Sequence, residues 1–317
     1  MSTHRHHDEK TSSHSHPHAK GHQRALVLVL VLTVTYLVAE VIGGVLSGSL
    51  ALIADAGHMA LDVAAVMLGL FASWIASLPP TLKKTYGYYR AEILAALTNA
   101  ITLVLVSFWI FYEAWQRFGA PPEVRGGVMA VIAAGGLVVN VLGLLLLHGS
   151  KEHGLNMRGV WLHMLTDALG SVAALVGGFL ILEFQWYWVD PLISIILGVL
   201  ILFGAWKLLV ECVDVLLVSV PKEIDAARIK NDIETLSEVK ELHDLHIWAV
   251  SHQVYALSAH VRLKYDTELG GVLNRISRLL KENYQIDHTT LQIEPPTFEH
   301  EGAHFCEPGK SGHEPHR

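Results

Sequence analysis

Ser49-Leu-Ala-Leu-Ile-Ala-Asp-Ala-Gly-His58-Met-Ala-Leu-Asp62-Val-Ala-Ala-Val-Met-Leu-Gly-Leu-Phe-Ala-Ser-Trp-Ile-Ala-Ser77 is the stretch whose reading decides the fold. Crossing ~30 Å of hydrocarbon takes roughly 20 mostly apolar residues as helix, and this run is longer than that. Five more stretches share its length and character, at about residues 25–47, 91–118, 124–148, 159–182 and 188–218. With 51% hydrophobic residues, six such runs leave too little polar surface for a soluble exterior. The chain therefore reads as a polytopic α-helical membrane protein with six transmembrane helices.

The polar residues inside these runs come next. His58 and Asp62 are four positions apart, and the fifth run repeats the pattern as His163-Met-Leu-Thr-Asp167. Residues four apart on a helix share a face. An aspartate near the bilayer centre costs at least ~2.5–3.5 kcal/mol on insertion scales, so two such pairs need a compensating partner. Two imidazoles and two carboxylates suit one tetrahedral divalent cation, Zn²⁺ best of all. A single pair would read equally well as a hydrogen bond between helices, and the repetition favours the metal. If successive spans alternate in direction, each pair lies about nine residues into its helix from opposite faces. At 1.5 Å per residue that is roughly 13 Å, which lets both pairs meet near the midplane. Asp55, one turn before His58, is a candidate fifth oxygen or an outer partner of a ligating imidazole. Glu40, Asn99 and Asn140 either line the same cavity or bond between helices.

Basic residues in the connections set the orientation. Arg5, Lys10, Lys20 and Arg24 precede the first span, Lys83, Lys84 and Arg90 follow the second, Lys151 and Arg158 follow the fourth, and Lys222 follows the sixth. The alternate loops offer only Arg117 and Arg125, beside Glu123 and Glu183. Both termini are predicted cytoplasmic, and the polar, histidine-rich start predicts no cleavable signal peptide. The formal charge of −7 and the lack of a basic stripe interleaved with aromatics exclude a nucleic-acid partner. The two cysteines, Cys212 and Cys306, fall in different segments and predict no disulfide framework.

After Pro221 the composition becomes that of a small soluble domain. Periodicity predicts a helix (223–236), two strands (242–250 and 254–263), a helix opened by Asp266 (267–284) and a strand (289–294), a compact α+β order. Leu257, Ala259, Val261 and Leu263 alternate with Ser258, His260 and Arg262, so one sheet face is apolar and the other is free to carry ligands. The domains expected are a tail (1–23), the membrane domain (24–220), the soluble domain (221–297) and a second tail (298–317). His4, His6, His7, His14, His16, His18 and His22 crowd the first tail, and His300, His304, His313 and His316 punctuate the second. Their irregular spacing among Ser, Pro, Gly, Lys and Glu reads as disordered, weakly chelating tract or as plain solvated tail.

Several motifs together give a resemblance. Residues 49–62, Tyr86-Gly-Tyr-Tyr-Arg-Ala-Glu-Ile-Leu-Ala-Ala-Leu-Thr-Asn99, Asp190-Pro-Leu-Ile-Ser194 and His243-Asp-Leu-His-Ile-Trp248, in that order, resemble the cation diffusion facilitator family. The likeness covers about residues 24–296. It implies a homodimer of six-span protomers, each with a ferredoxin-like, metallochaperone-like cytoplasmic domain, exporting divalent metal in exchange for protons. The transport ligands carry over onto His58, Asp62, His163 and Asp167, and histidine at the head of both pairs resembles the zinc-selective branch. Residues 73–89 contain no His, Asp, Glu or Cys, so the extra loop site of some members is not expected. The connection between spans four and five holds only His148 and His153, unlike the long histidine-rich loop of many vesicular relatives, which favours a bacterial cytoplasmic-membrane exporter.

For the soluble domain the resemblance implies metal ligands at His243, His260, His288 and Glu294. Strand parity puts His260, His288 and Glu294 on polar faces. It leaves His243 open, because His246 shares the polar parity with Asp244 and Trp248; His246 is the rival ligand. Zn²⁺ is thus expected as transported substrate and as a regulatory ion, with no organic cofactor and no enzyme activity. Proton competition at the ligands supplies the coupling. The rival classes are a membrane metal sensor, an exporter of wider divalent range (Cd²⁺, Co²⁺, Ni²⁺, Mn²⁺), and an intramembrane metalloprotease. The last would want His-Glu-x-x-His on one helix, a form that neither pair has.

Overall fold

The structure, a computed structural model, describes residues 17–147, 155–251 and 254–298. The histidines of the two tails other than His18 and His22, together with His148, His153 and Cys306, lie outside the described residues. Six helices among those described are long and apolar enough to cross a membrane. They are α1 (Pro17–Ser47), α2 (Leu50–Ala76), α3 (Arg90–Gly119), α4 (Gly126–Leu147), α5 (Leu155–Phe184) and α6 (Val189–Leu216). Leu70, Phe203 and Trp115 are each more than two-thirds exposed, an apolar surface that fits lipid and not water. The chain is a multi-pass membrane protein. Helices α1 and α5 overrun the apolar runs predicted for them, α1 at its start and α5 at both ends.

The chain forms two compact units. The first comprises the described residues up to Val63 with Leu105–Leu202. Its core joins Ala51 and Leu52 of α2 to Met129 and Ala133 of α4, Ala174 and Ile181 of α5, and Ile193 and Leu197 of α6. Helices α4 and α5 cross at Gly126 and Gly178: a Cβ on Gly126 would stand 2.6 Å from the Gly178 carbonyl oxygen, and one on Gly178 would stand 2.7 Å from the Ala130 nitrogen. Only glycine permits that approach.

The second unit comprises Ala64–Val104 with the described residues from Phe203 onward. It contains an α+β ferredoxin-like domain: α7 (Ala226–Glu234), β1 (Val239–Ser251), β2 (Val254–Leu263), α8 (Leu269–Tyr284) and β3 (His288–Glu294). The sheet order is β1-β2-β3, with β1 antiparallel and β3 parallel to β2. Ile229 and Ile233 of α7 and Val272, Ile276 and Leu280 of α8 recur at helical spacing and are buried against Leu257, Ala259, Val261 and Leu263 of β2. Asp225 caps α7, its side chain accepting from the Arg228 N–H. Asp266 does not open α8 as the sequence predicts. The chain leaving β2 is tied back by the Lys264 N–H to the Glu238 carbonyl at 2.9 Å, and the helix starts only after Glu268.

Candidate metal sites

The first cluster lies between α2 and α5. The i, i+4 spacing of each pair puts its members on one face, and the two faces meet. His163 Nε2 is 3.2 Å from Asp62 Oδ2 and 3.6 Å from Asp167 Oδ2, and His58 Nε2 is 3.6 Å from Asp62 Oδ2. The two imidazole rings stand edge to face, 5.7 Å apart. One ligating atom from each of His58, His163 and Asp167 lies within 4.8 Å of the other two. Around a tetrahedral ion with ligands at about 2.0–2.1 Å, neighbouring donors are separated by roughly 3.3–3.4 Å. The three contacts are close to that value; the donors gathered within 4.8 Å of one another are those of His58, His163 and Asp167, while Asp62 is placed by its contacts with the two histidines.

Asp55 is buried three residues before His58. Nδ1 of His58 is also buried and has no hydrogen-bond partner among the described residues, so Asp55 does not orient this ring through a direct bond. Glu40 on α1 is fully buried and accepts the Tyr36 hydroxyl hydrogen bond at 3.0 Å. Asn140 on α4 donates to Ser171 on α5 at 3.3 Å, a bond between helices.

The second cluster is built on the soluble domain's sheet. Register pairs His243 of β1 with His260 of β2, and Arg262 of β2 with Glu294 of β3. Glu294 Oε1 lies 3.1 Å from His260 Nδ1 and 3.5 Å from His243 Nε2, and the two rings are 5.3 Å apart. His243, His260 and Glu294 each offer a ligand atom within 4.8 Å of the others. Burial pushes the His243 imidazole below the ordinary histidine range, although the Glu294 carboxylate pulls the other way. That favours the neutral form a metal requires. Arg262 Nε stands 3.7 Å from Glu294 Oε2, so a guanidinium compensates the buried carboxylate.

The bulge at Asp244, whose φ is 52°, separates the two histidine candidates. Three residue steps of β1, from His243 to His246, match only two of β2, from His260 to Ser258, so both histidines face the same side. His243 is level with His260, while His246 is half-exposed and sits 3.7 Å from Asp244 Oδ1. His288 is not in the cluster. It shares the parity of Glu294 but is level with Ala256, six residues along β3, or about 20 Å at the rise of a strand. Its ring instead meets the Tyr86 ring edge to face, 5.8 Å away.

Six helices long and apolar enough to cross a membrane, with two histidine–aspartate pairs facing each other, and a small α+β domain with a second cluster, describe a multi-pass membrane protein with two sets of side chains that could hold a metal ion. The comparisons give the family. Residues 26–217 match the cation efflux transmembrane domain, and residues 221–296 match the cation efflux protein cytoplasmic domain. The zinc transporter ZitB of Escherichia coli strain K12 is 40% identical over 283 residues, covering 89% of this chain and 90% of that protein. The cadmium, cobalt and zinc/H(+)-K(+) antiporter of Bacillus subtilis is 39% identical over 278 residues, covering 86% and 89%. Among solved structures, the metal-bound C-terminal domain of the CzcD transporter from Cupriavidus metallidurans is 32% identical, covers 22% of this chain and 99% of that one, and gives a TM-score of 0.22. The chain belongs to the cation efflux, or cation diffusion facilitator, family.

Proposed function

We propose that this protein exports Zn²⁺ from the cytoplasm in exchange for protons, binding the ion at His58, Asp62, His163 and Asp167. The observation that carries the reading is the meeting of the two pairs: His163 Nε2 on α5 lies 3.2 Å from Asp62 Oδ2 on α2, and the His58 and His163 rings stand 5.7 Å apart. Zinc needs neutral imidazole and ionised carboxylate, so loading from a near-neutral cytoplasm releases protons. A site that opens to either side in turn lets protons from outside displace the ion. The ligands themselves do the coupling.

Further parts of the reading follow from the same chemistry. The protein works as a homodimer in the bacterial cytoplasmic membrane with both termini inside, and zinc at His243, His260 and Glu294 reports cytoplasmic metal to the transporter. A wider range of divalent cargo is the second reading, favoured by the Bacillus subtilis relative, which is named for cadmium and cobalt as well as zinc. Inverted membrane vesicles test the proposal. Acid-interior vesicles containing the protein should accumulate zinc and lose that accumulation when an ionophore collapses the gradient. Accumulation indifferent to the ionophore would refute proton exchange, and metal binding without accumulation would favour a sensor.

A further inference from the structure

Asp190 opens α6 and is fully buried, yet its carboxylate is directed at the start of a different helix. Oδ1 accepts the Ser49 hydroxyl at 2.5 Å and the Ala51 N–H at 3.2 Å, while Oδ2 accepts the Leu50 N–H at 2.8 Å. The first turn of a helix leaves its N–H groups without intrahelical partners, a need usually met by the residue just before it. Here Ser49 meets part of it, its hydroxyl accepting from the Leu52 N–H at 3.2 Å, and Asp190 of α6 adds a second cap from across the bundle, a negative charge at the positive end of the α2 dipole. Arg117, in the last turn of α3, completes the arrangement: Nη1 donates to the Gly48 carbonyl at 2.7 Å and lies 3.5 Å from Asp190 Oδ2. Burying a carboxylate is costly unless donors surround it, so this end of α2 cannot slide without stranding a buried charge.

His58 and Asp62 are eight and twelve residues beyond Leu50 on the same helix, about 12 and 18 Å along its axis. We propose that Asp190 is a positioning residue for metal transport: by holding the N-terminus of α2 it sets the height and rotation at which His58 and Asp62 meet His163 and Asp167. The inference rests on the transport-site reading given above. Its force is geometric. A slip of one residue at the N-terminus would move the ligands about 1.5 Å and turn them about 100°, whereas metal–ligand distances hold within about 0.2 Å.

Proteoliposomes of the full chain test it, with zinc uptake measured against zinc concentration and in competition with cadmium. Ser49→Ala should raise the half-saturating zinc concentration about three- to tenfold and Asp190→Asn at least about tenfold, as expected for loss of hydrogen bonds to a charged group, and both should admit more cadmium. Their combined effect should fall short of the product, because the two residues share one bond. A role in folding alone would lower maximal flux and leave half-saturation and the cadmium profile at wild-type values, which would overturn the proposal. Should Asp190→Asn fail to accumulate, Ser49→Ala decides: it keeps the carboxylate and its bonds from the Leu50 and Ala51 N–H groups, and loses only the hydroxyl's contacts at the same helix start, with Asp190 and with the Leu52 N–H. Asp62→Ala is the control. Wild-type flux and half-saturation there would remove the transport site itself, whereas an impaired Asp62→Ala beside a wild-type Asp190→Asn and Ser49→Ala would remove only the positioning role.

Discussion

Oδ2 of Asp62 lies 3.2 Å from Nε2 of His163 on α5 and 3.6 Å from Nε2 of His58 on its own helix, so one carboxylate oxygen faces both imidazoles. A cation between the rings would therefore meet both imidazoles beside one shared carboxylate oxygen, and motion of α2 against α5 would shift His163 relative to both Asp62 and His58.

Replacing Asp62 or Asp167 with Ala should leave folded protein that no longer protects metal-sensitive cells. Loss of an outer partner already costs 10–100-fold in metal affinity, so loss of a ligand should cost at least about 100-fold. Growth on graded zinc, normalised to membrane-inserted protein, checks this. Full protection by both single variants would dismiss the assignment.

His58→Asp exchanges a borderline nitrogen donor for a hard oxygen. Discrimination for Zn²⁺ should weaken, and Cd²⁺ or Mn²⁺ should compete better. Vesicle uptake with each competitor reads the change directly, and an unaltered order of competitors would place selectivity elsewhere in the chain.

In the soluble domain, His243→Ala, His260→Ala and Glu294→Ala should each abolish stoichiometric zinc binding by the fragment 221–296, while His246→Ala and His288→Ala should keep it. Zinc at 100 times its dissociation constant should add ~2.7 kcal/mol to the folded wild-type fragment by mass action. Calorimetric titration and thermal melts settle both points. Binding lost in His288→Ala but retained in His243→Ala would contradict the geometry.

Much of this was legible in advance because some patterns admit one reading. Apolar runs of membrane length have few alternatives, and the helix–strand–strand–helix–strand order of the soluble domain follows from period changes that Ile229/Ile233 and Leu257/Ala259/Val261 display. The membrane pairs stand out because they repeat. Ambiguities of register were not legible. The Asp244 bulge adds one residue to β1 and cancels the parity difference between His243 and His246, and no periodicity reveals an inserted residue. His288 keeps the right parity but lies at the far end of β3, which only the pairing with β2 reveals. Asp190 signalled its helix start but not the cap it provides 141 positions away, since a bond in trans leaves no local spacing.

Deleting residues 1–22 removes His4, His6, His7, His14, His16, His18 and His22 and nothing from the membrane cluster. Saturating flux should persist while uptake at low free zinc slows. A properly inserted truncation with no maximal flux would make the tail part of the transport path.

Zinc flux in sealed proteoliposomes under an imposed pH gradient tests the central claim most directly, with metal and proton movements followed together in the same vesicles. The account predicts saturable zinc entry into acid-loaded vesicles, matched by proton exit, and neither movement above background in Asp62→Ala or Asp167→Ala. Zinc entry that ignores the gradient, or that survives in both variants, would contradict it.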